Sequence, residues 1–216
     1  MASGHQQRTL AIETASEACS VALFEGDVLL AHDHRVLGRG HAEELIPMIA
    51  ALPDKGRASR ILVSLGPGSF TGVRIGIATA RALGFAWGSP VIGYPTLALI
   101  AAMAQAEHPA CTTVCMNGGH GEWFVQNFGS DGAQMNDLAS LSPERAATRD
   151  VQPLIAGNKA DELASLTNSS PDTALRLLPD ARHAQLINSA RLIEEISPIY
   201  GRAPDAKPLA AASQAK

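Results

Sequence analysis

The stretch Gly66-Pro67-Gly68-Ser69-Phe70-Thr71-Gly72-Val73-Arg74 constrains the chain most. Before it, Arg60–Leu65 is an apolar run of the kind that forms a strand buried on both faces. After it, Val73–Trp87 reads as a helix. A glycine-rich link from buried strand to helix can offer backbone N–H groups to an anion. It is not a Walker loop, because no Gly-Lys-Ser/Thr follows at the required spacing. It is not a dinucleotide fingerprint either, because Gly66-x-Gly68 lacks the third glycine. A tight strand-to-helix turn accounts for it without any ligand.

The surrounding pattern places this unit in a larger plan. Strands are expected at Arg8–Glu13, Ala18–Glu25 and Val28–Val36, the last two joined by the hairpin residues Gly26-Asp27. A helix follows over about His41–Leu52, then the Arg60–Leu65 strand and the Val73–Trp87 helix. A short strand at Val91–Tyr94 leads to a helix over Thr96–Gln105, with Thr96 near its cap. The order β-β-β-α-β-α-β-α implies a mixed sheet with helices packed on it. It resembles the half-domain plan of the actin, Hsp70 and sugar-kinase superfamily. The second half is weaker: a hairpin of Thr112–Met116 and Glu122–Phe128, a short helix at Pro143–Thr148, strands at Pro153–Ala156 and Ala174–Leu178, and a helix at Arg182–Ile196. The expected class is therefore α/β with the actin-like ATPase fold, two lobes of mixed sheet flanked by helices, the second reduced. The expected units are residues 1–105, 106–203 and a disordered tail at 204–216.

Composition narrows the function. Apolar residues make up 46% of the 216 and charged residues 18%, enough to bury a sizeable core. The 17 Lys and Arg are scattered among 21 Asp and Glu, with a formal net charge of −4. No basic face of the kind that grips RNA directly is visible. Cys19, Cys111 and Cys115 match no zinc spacing. On one strand, Cys111 and Cys115 stand roughly 13 Å apart, too far for a disulfide. Buried thiols in a reducing compartment fit best. Met1–Thr9 is polar, and no apolar run reaches the ~18 residues that span a bilayer, so a cytoplasmic chain is expected.

Two helices carry apolar stripes beyond what one core needs. Gly72, Gly76, Ala80 and Gly84 recur every four residues, so they share one face. Each glycine costs a helix about 1 kcal/mol relative to alanine, which close packing must offset. Either the sheet beneath or a helix from another subunit can be what packs there. On the earlier helix, His41, Leu45, Met48 and Leu52 form one stripe and Ala42, Ile46 and Ile49 another. Pro47 lies inside that helix and is expected to bend it.

Several segments together resemble the TsaB (YeaZ) family: Leu10-Ala11-Ile12-Glu13-Thr14-Ala15, Ala18-Cys19-Ser20-Val21-Ala22-Leu23, His41-Ala42-Glu43-Glu44-Leu45-Ile46-Pro47 and Gly66–Gly76. Pro198-Ile199-Tyr200-Gly201-Arg202-Ala203-Pro204-Asp205-Ala206-Lys207-Pro208 resembles that family's C-terminal signature. The resemblance is specific over residues 8–105 and 198–208 and loose between. Where the family carries an Asp-Ala-Arg-Arg-Gly-Glu-Val-Tyr-like hairpin, this chain reads Met116-Asn117-Gly118-Gly119-His120-Gly121-Glu122-Trp123-Phe124, so no role of those arginines transfers. The resemblance implies a non-catalytic subunit that docks through its N-terminal lobe to TsaD. TsaD transfers a threonylcarbamoyl group to the adenosine beside the anticodon of tRNA. A TsaE-like ATPase joins the assembly. ATP and Mg are held mainly by the partners, tRNA is met only through the complex, and the isolated chain forms a homodimer. The expected interface residues are His41, Leu45, Met48, Leu52, Gly72, Val73, Gly76, Ile77 and Ala80.

Enzyme readings have less behind them. The resemblance assigns TsaD a His-x-x-x-His metal pair, and this chain has none, since Leu45 stands four residues after His41. His32 and His34 share a strand face roughly 7 Å apart but lack a supporting carboxylate pattern. Glu13 stands where the superfamily often places a carboxylate facing the nucleotide's metal. With Gly66, Gly68 and Ser69 it is a candidate nucleotide or metal relic. A self-standing actin-like ATPase or small-molecule kinase, and more remotely a metal-dependent peptidase, remain the competing readings.

Overall fold

The computed structural model describes residues 7–202. The first lobe runs β1 (Arg8–Glu13), β2 (Ala18–Glu25), β3 (Val28–Val36), α1 (His41–Ala51), β4 (Arg60–Ser64), α2 (Phe70–Trp87), β5 (Val91–Tyr94) and α3 (Thr96–Glu107). The second runs β6 (Thr112–Gly119), β7 (Glu122–Phe128), β8 (Ala139–Leu141), α4 (Pro143–Ala147), β9 (Leu154–Ala156), α5 (Ala160–Thr167) and β10 (Ala174–Leu175).

The first sheet has the order β3-β2-β1-β4-β5 and the second β10-β9-β6-β7-β8. Read from β8, the second is the same sheet again. In each, three strands pair antiparallel and the last two add in parallel. The doubled βββαβαβ plan is the actin-like ATPase arrangement, with a smaller second copy.

Strand periodicity sorts side chains onto two layers. Leu10, Ile12, Val21 and Leu23 point to the side of α1 and α2, where they meet Leu45, Met48, Val73 and Ala80. Their neighbours Ala11, Ala22 and Phe24 face Leu99 of α3. The other side of α3, Leu97, Ile100, Ala101 and Ala104, packs on Val114, Met116 and Phe124 of the second sheet. A helix clamped between two sheets needs apolar residues nearly all round, and α3 has them. Cys115, Trp123, Val125 and Ile155 cover α4 and α5 on the far side.

Two expectations are corrected. The helix expected at Arg182–Ile196 is two 3-10 turns, Ala181–Leu186 and Ser189–Arg191. Asp180 and Asn188 side chains cap those turns, and Ile187 between them is extended, so no continuous helix forms. Ile193 then exchanges both backbone hydrogen bonds with Gly93. The stretch Ala181–Ile199 therefore packs on the first lobe, although it follows the second in sequence. Helix α2 starts three residues earlier than expected, because the Ser69 side chain accepts from Gly72 N and caps it. The tail expected at 204–216 lies outside the described residues.

Candidate functional site

The glycine-rich turn closes onto the β1–β2 turn. Ser69 N donates to Ala15 O at 2.6 Å, and Thr14 Oγ1 donates to Gly72 O at 2.8 Å. A Cβ on Gly68 would stand 1.9 Å from Ala15 O, and one on Gly72 2.1 Å from Thr14 O. The glycines are required by this chain's own close approach. Several amides that an anion would need are already used: Gly66 N donates to Ser64 Oγ, Gly72 N to Ser69 Oγ, and Val73 N to Ser69 O.

Glu13 is fully buried at the end of β1. One carboxyl oxygen accepts from Ala15 N at 2.7 Å, and Oε2 has no hydrogen-bond partner. Burial pushes this carboxyl up to about 7, against the pull of the Ala15 amide. A carboxyl so placed favours its neutral form. Of the relic candidates, Gly68 and Ser69 line the cleft between the lobes, whereas Glu13 and Gly66 do not. Among the described residues no three His, Cys, Asp or Glu are grouped to hold a metal. These residues do not fit a magnesium nucleotide in the way the superfamily implies. His32 and His34 line a separate groove with Asp33, Arg176, Asp180 and Arg182.

The inter-lobe cleft encloses about 560 Å³. Its walls include Glu17, Phe70 and Arg74 from the first lobe and Asn117, His120 and Asn158 from the second. Across its floor Asn158 Nδ2 donates to both Glu17 carboxylate oxygens at 3.1 Å, while Asn158 Oδ1 accepts from Asn117 N. Asn158 belongs to the second lobe's own strand-to-helix turn, Gly157–Ala160. There a Cβ on Gly157 (φ 122°) would meet Cys115 O at 2.2 Å. The sequence reading missed this turn. Its signal was a glycine after the apolar Leu154-Ile155-Ala156 and a first helical turn bearing Asp161 and Glu162.

The nine residues expected at a partner surface are turned inward. Leu45, Met48, Leu52, Val73, Ile77 and Ala80 belong to the first lobe's core. Gly72 and Gly76 are buried too, and a Cβ on Gly76 would stand 2.4 Å from Thr14 Oγ1. His41 is buried, with Nε2 3.0 Å from Ser16 O and 3.2 Å from Ala18 O. Both neighbours can only accept, so Nε2 carries the proton. The glycine stripe thus lets α2 sit close on its own sheet. The outward faces are different residues: Ala42, Ile46, Pro47 and Ala50 on α1, with Ala78, Ala82 and Phe85 on α2. Ile46 is 50% exposed and Phe85 93%. These outward residues are apolar and mostly small.

Comparison with known proteins fits this architecture. Residues 35–147 match the family model for TsaD, tRNA N6-adenosine threonylcarbamoyltransferase. The tRNA threonylcarbamoyladenosine biosynthesis protein TsaB of Escherichia coli is 41% identical over 108 residues, 48% of this chain and 46% of that one. In that alignment the chain spans about half the length of the curated relative. An uncharacterized protein of Mycobacterium bovis is 31% identical over 208 residues, 93% of this chain and 94% of its own. The solved structure of YeaZ from Pseudomonas aeruginosa superposes with a TM-score of 0.73 at 30% identity, covering 90% of this chain and 99% of that one. With the fold, the near-full-length likeness to YeaZ and the TsaB-named relatives in agreement, the chain belongs to the TsaB (YeaZ) family.

Proposed function

We propose that this chain is a non-catalytic subunit in the biosynthesis of threonylcarbamoyladenosine in tRNA, docking to a TsaD-like catalytic subunit through the outer faces of α1 and α2. The observation that carries the reading is the exposed apolar surface of Ala42, Ile46, Pro47, Ala78, Ala82 and Phe85. Apolar side chains left exposed side by side on a helix face mark an interaction site. Small residues at its centre let a second pair of helices approach to about 8–10 Å. The isolated chain uses the same face to form a homodimer around a two-fold axis. A TsaE-like ATPase joins the assembly, ATP and Mg are held mainly by the partners, and tRNA is met through the complex. The internally satisfied glycine turn and the buried Glu13 support a chain that turns over no ATP alone.

The test is affinity for the cognate TsaD-like protein. Ala78→Arg is expected to weaken binding at least tenfold, as substitutions at interface centres commonly do, while the melting temperature stays unchanged. Full affinity in the folded variant would remove this face from the interface. Steady ATP hydrolysis by the purified chain, lost in Glu13→Gln, would instead make it a self-standing ATPase.

A further inference from the structure

We infer that residues 197–202 form a strap across the mouth of the inter-lobe cleft, and that its latch lies on α2, so that docking on α2 opens the cleft. The strap itself is argued from the fold alone; the coupling to docking rests on the proposed function.

The path of the chain makes the strap. Arg81 Nη2 donates to Ile196 O at 2.6 Å, and Ile199 N donates to Leu65 O at 2.7 Å. The side chains of Ile193, Ile196 and Ile199 pack on the first lobe's core. The chain then leaves that lobe. Gly201 lies against the Phe124 ring so closely that a Cβ there would stand 2.3 Å from it. The Arg202 guanidinium comes within 3.9 Å of the Glu122 carboxylate. Ile199 through Arg202 all line the cleft. The chain therefore passes from the end of β4 to the β6–β7 hairpin along the cleft.

The two ends of the strap are held differently. The Ile199 end is anchored by core packing. Beyond Ile199, besides the contacts of Gly201 and Arg202 with the second lobe, the strap is held to α2 by a surface latch. Arg74 Nη2 donates to Tyr200 Oη at 2.7 Å, and its guanidinium lies 3.2 Å over the Phe70 ring. The Phe70 and Tyr200 rings are 5.8 Å apart. Phe70 is 58% exposed and Tyr200 49%. A segment with few buried contacts and solvent-facing bonds opens locally before the fold does. Ile199 is where the strap would hinge.

The latch shares a helix with the docking face. Arg74 stands one turn before Ala78, so the two are neighbours on the outer side of α2. The Phe70 face that Arg74 covers is the apolar surface a partner helix would bury at that end. A partner side chain cannot occupy it while the guanidinium is there. Displacing Arg74 removes the hydrogen bond to Tyr200, and the strap loses its latch. A ligand of the cleft would then enter only in the docked state.

Hydrogen exchange followed by mass spectrometry on the full chain tests this. Tyr200→Ala is expected to speed exchange at Asn117–Gly119 at least tenfold, with the amides of Ile199, β1 and β4 unchanged. Tyr200→Phe keeps the ring and loses the hydroxyl, and should fall between. If neither variant alters exchange at Asn117–Gly119, the strap is not a gate. Adding the TsaD-like subunit to the native chain should protect α1 and α2 while speeding exchange in 197–202. Protection of α2 with an unchanged or slowed strap would refute the coupling and leave docking intact. Absence of any protection on α2 would refute the docking reading, and the Tyr200 variants would still decide the strap.

Discussion

The two lobes repeat one strand order, but the helices laid on them differ: α1 and α2 have 11 and 18 residues, α4 and α5 only 5 and 8. At 1.5 Å per residue, α2 extends about 27 Å and α5 about 12 Å. Both pairs bury their inner faces, Val73 and Ala80 in one lobe and Leu163 and Ala164 in the other. Covering a sheet therefore needs only two or three turns of helix. The extra length of α1 and α2 carries the exposed Ile46 and Phe85. What survives in both lobes is the strand-to-helix turn, Gly66–Phe70 and Gly157–Ala160, each fitted against a neighbouring carbonyl.

That parallel can be broken most forcefully at its glycines. Gly68→Ala puts a methyl group 1.9 Å from Ala15 O, and Gly157→Ala one 2.2 Å from Cys115 O at a φ that side chains avoid. Each should cost about 3 kcal/mol or more, because backbone must move. Urea titration of both variants checks whether the reduced lobe depends on its turn as much as the full one does. Gly76→Leu falls in the same class: a loss of stability is expected from its 2.4 Å clash with Thr14 Oγ1, rather than a loss of docking in a stable fold.

The next effect separates the lobes by pH. The Glu13 carboxyl titrates at about 7 when folded, against 4.5 ordinarily, because burial disfavours its charge. The folded chain holds a proton that the unfolded chain releases between those values. The stability this contributes is full below 4.5 and is lost as pH rises through about 7. From about pH 5 to 8 the loss should be on the order of 2 kcal/mol. Glu13→Gln should flatten that part of the profile. An identical pH slope in both proteins, read from melting temperatures, would mean the carboxylate is better accommodated than its orphan oxygen implies.

Smaller effects compare the helix caps. Ser69 accepts from Gly72 N at 3.2 Å and Ser142 from Arg145 N at 3.4 Å. Ser69→Ala should cost about 1 kcal/mol, and Ser142→Ala nearer 0.5 kcal/mol, because α4 is one short turn. Last, Phe85→Ala should change stability by less than about 0.5 kcal/mol, since 93% of the residue is exposed. A larger loss would show that this ring supports the fold.

The first lobe was legible because its strands alternate cleanly and its turns carry glycine. The second was legible only where β6 and β7 are long. Strand β8 and helix α5, with 3 and 8 residues, are too short for periodicity to register. Residues 182–196 carry a helical pattern, but Asn188 caps a new turn and Gly93 takes Ile193 as a strand partner, so tertiary contacts won. For the site, periodicity exposed two apolar stripes on α1 without saying which one faces in. Leu45 and Met48 go to the core, Ala42 and Ile46 to solvent. On α2 the glycine stripe suits either the sheet beneath or a partner helix, and it lies on the sheet, where only Gly fits beneath Thr14. Repetition of the fold was invisible at the level of residues and plain in the strand order.

The return of Ala181–Ile199 to the first lobe has a consequence for how the chain is made. On the ribosome, β1 to α3 emerge early, yet the carbonyl of Leu65 and both backbone groups of Gly93 wait for Ile199 and Ile193, which are translated far later. Contacts so distant in sequence are slow to form and leave apolar surface uncovered meanwhile. The first lobe is therefore not a self-sufficient product of the first half of the message. A ribosome that stops early, or a protease that clips near residue 190, would leave that lobe with an open seam for chaperones to recognise, even though every strand of its sheet is already present.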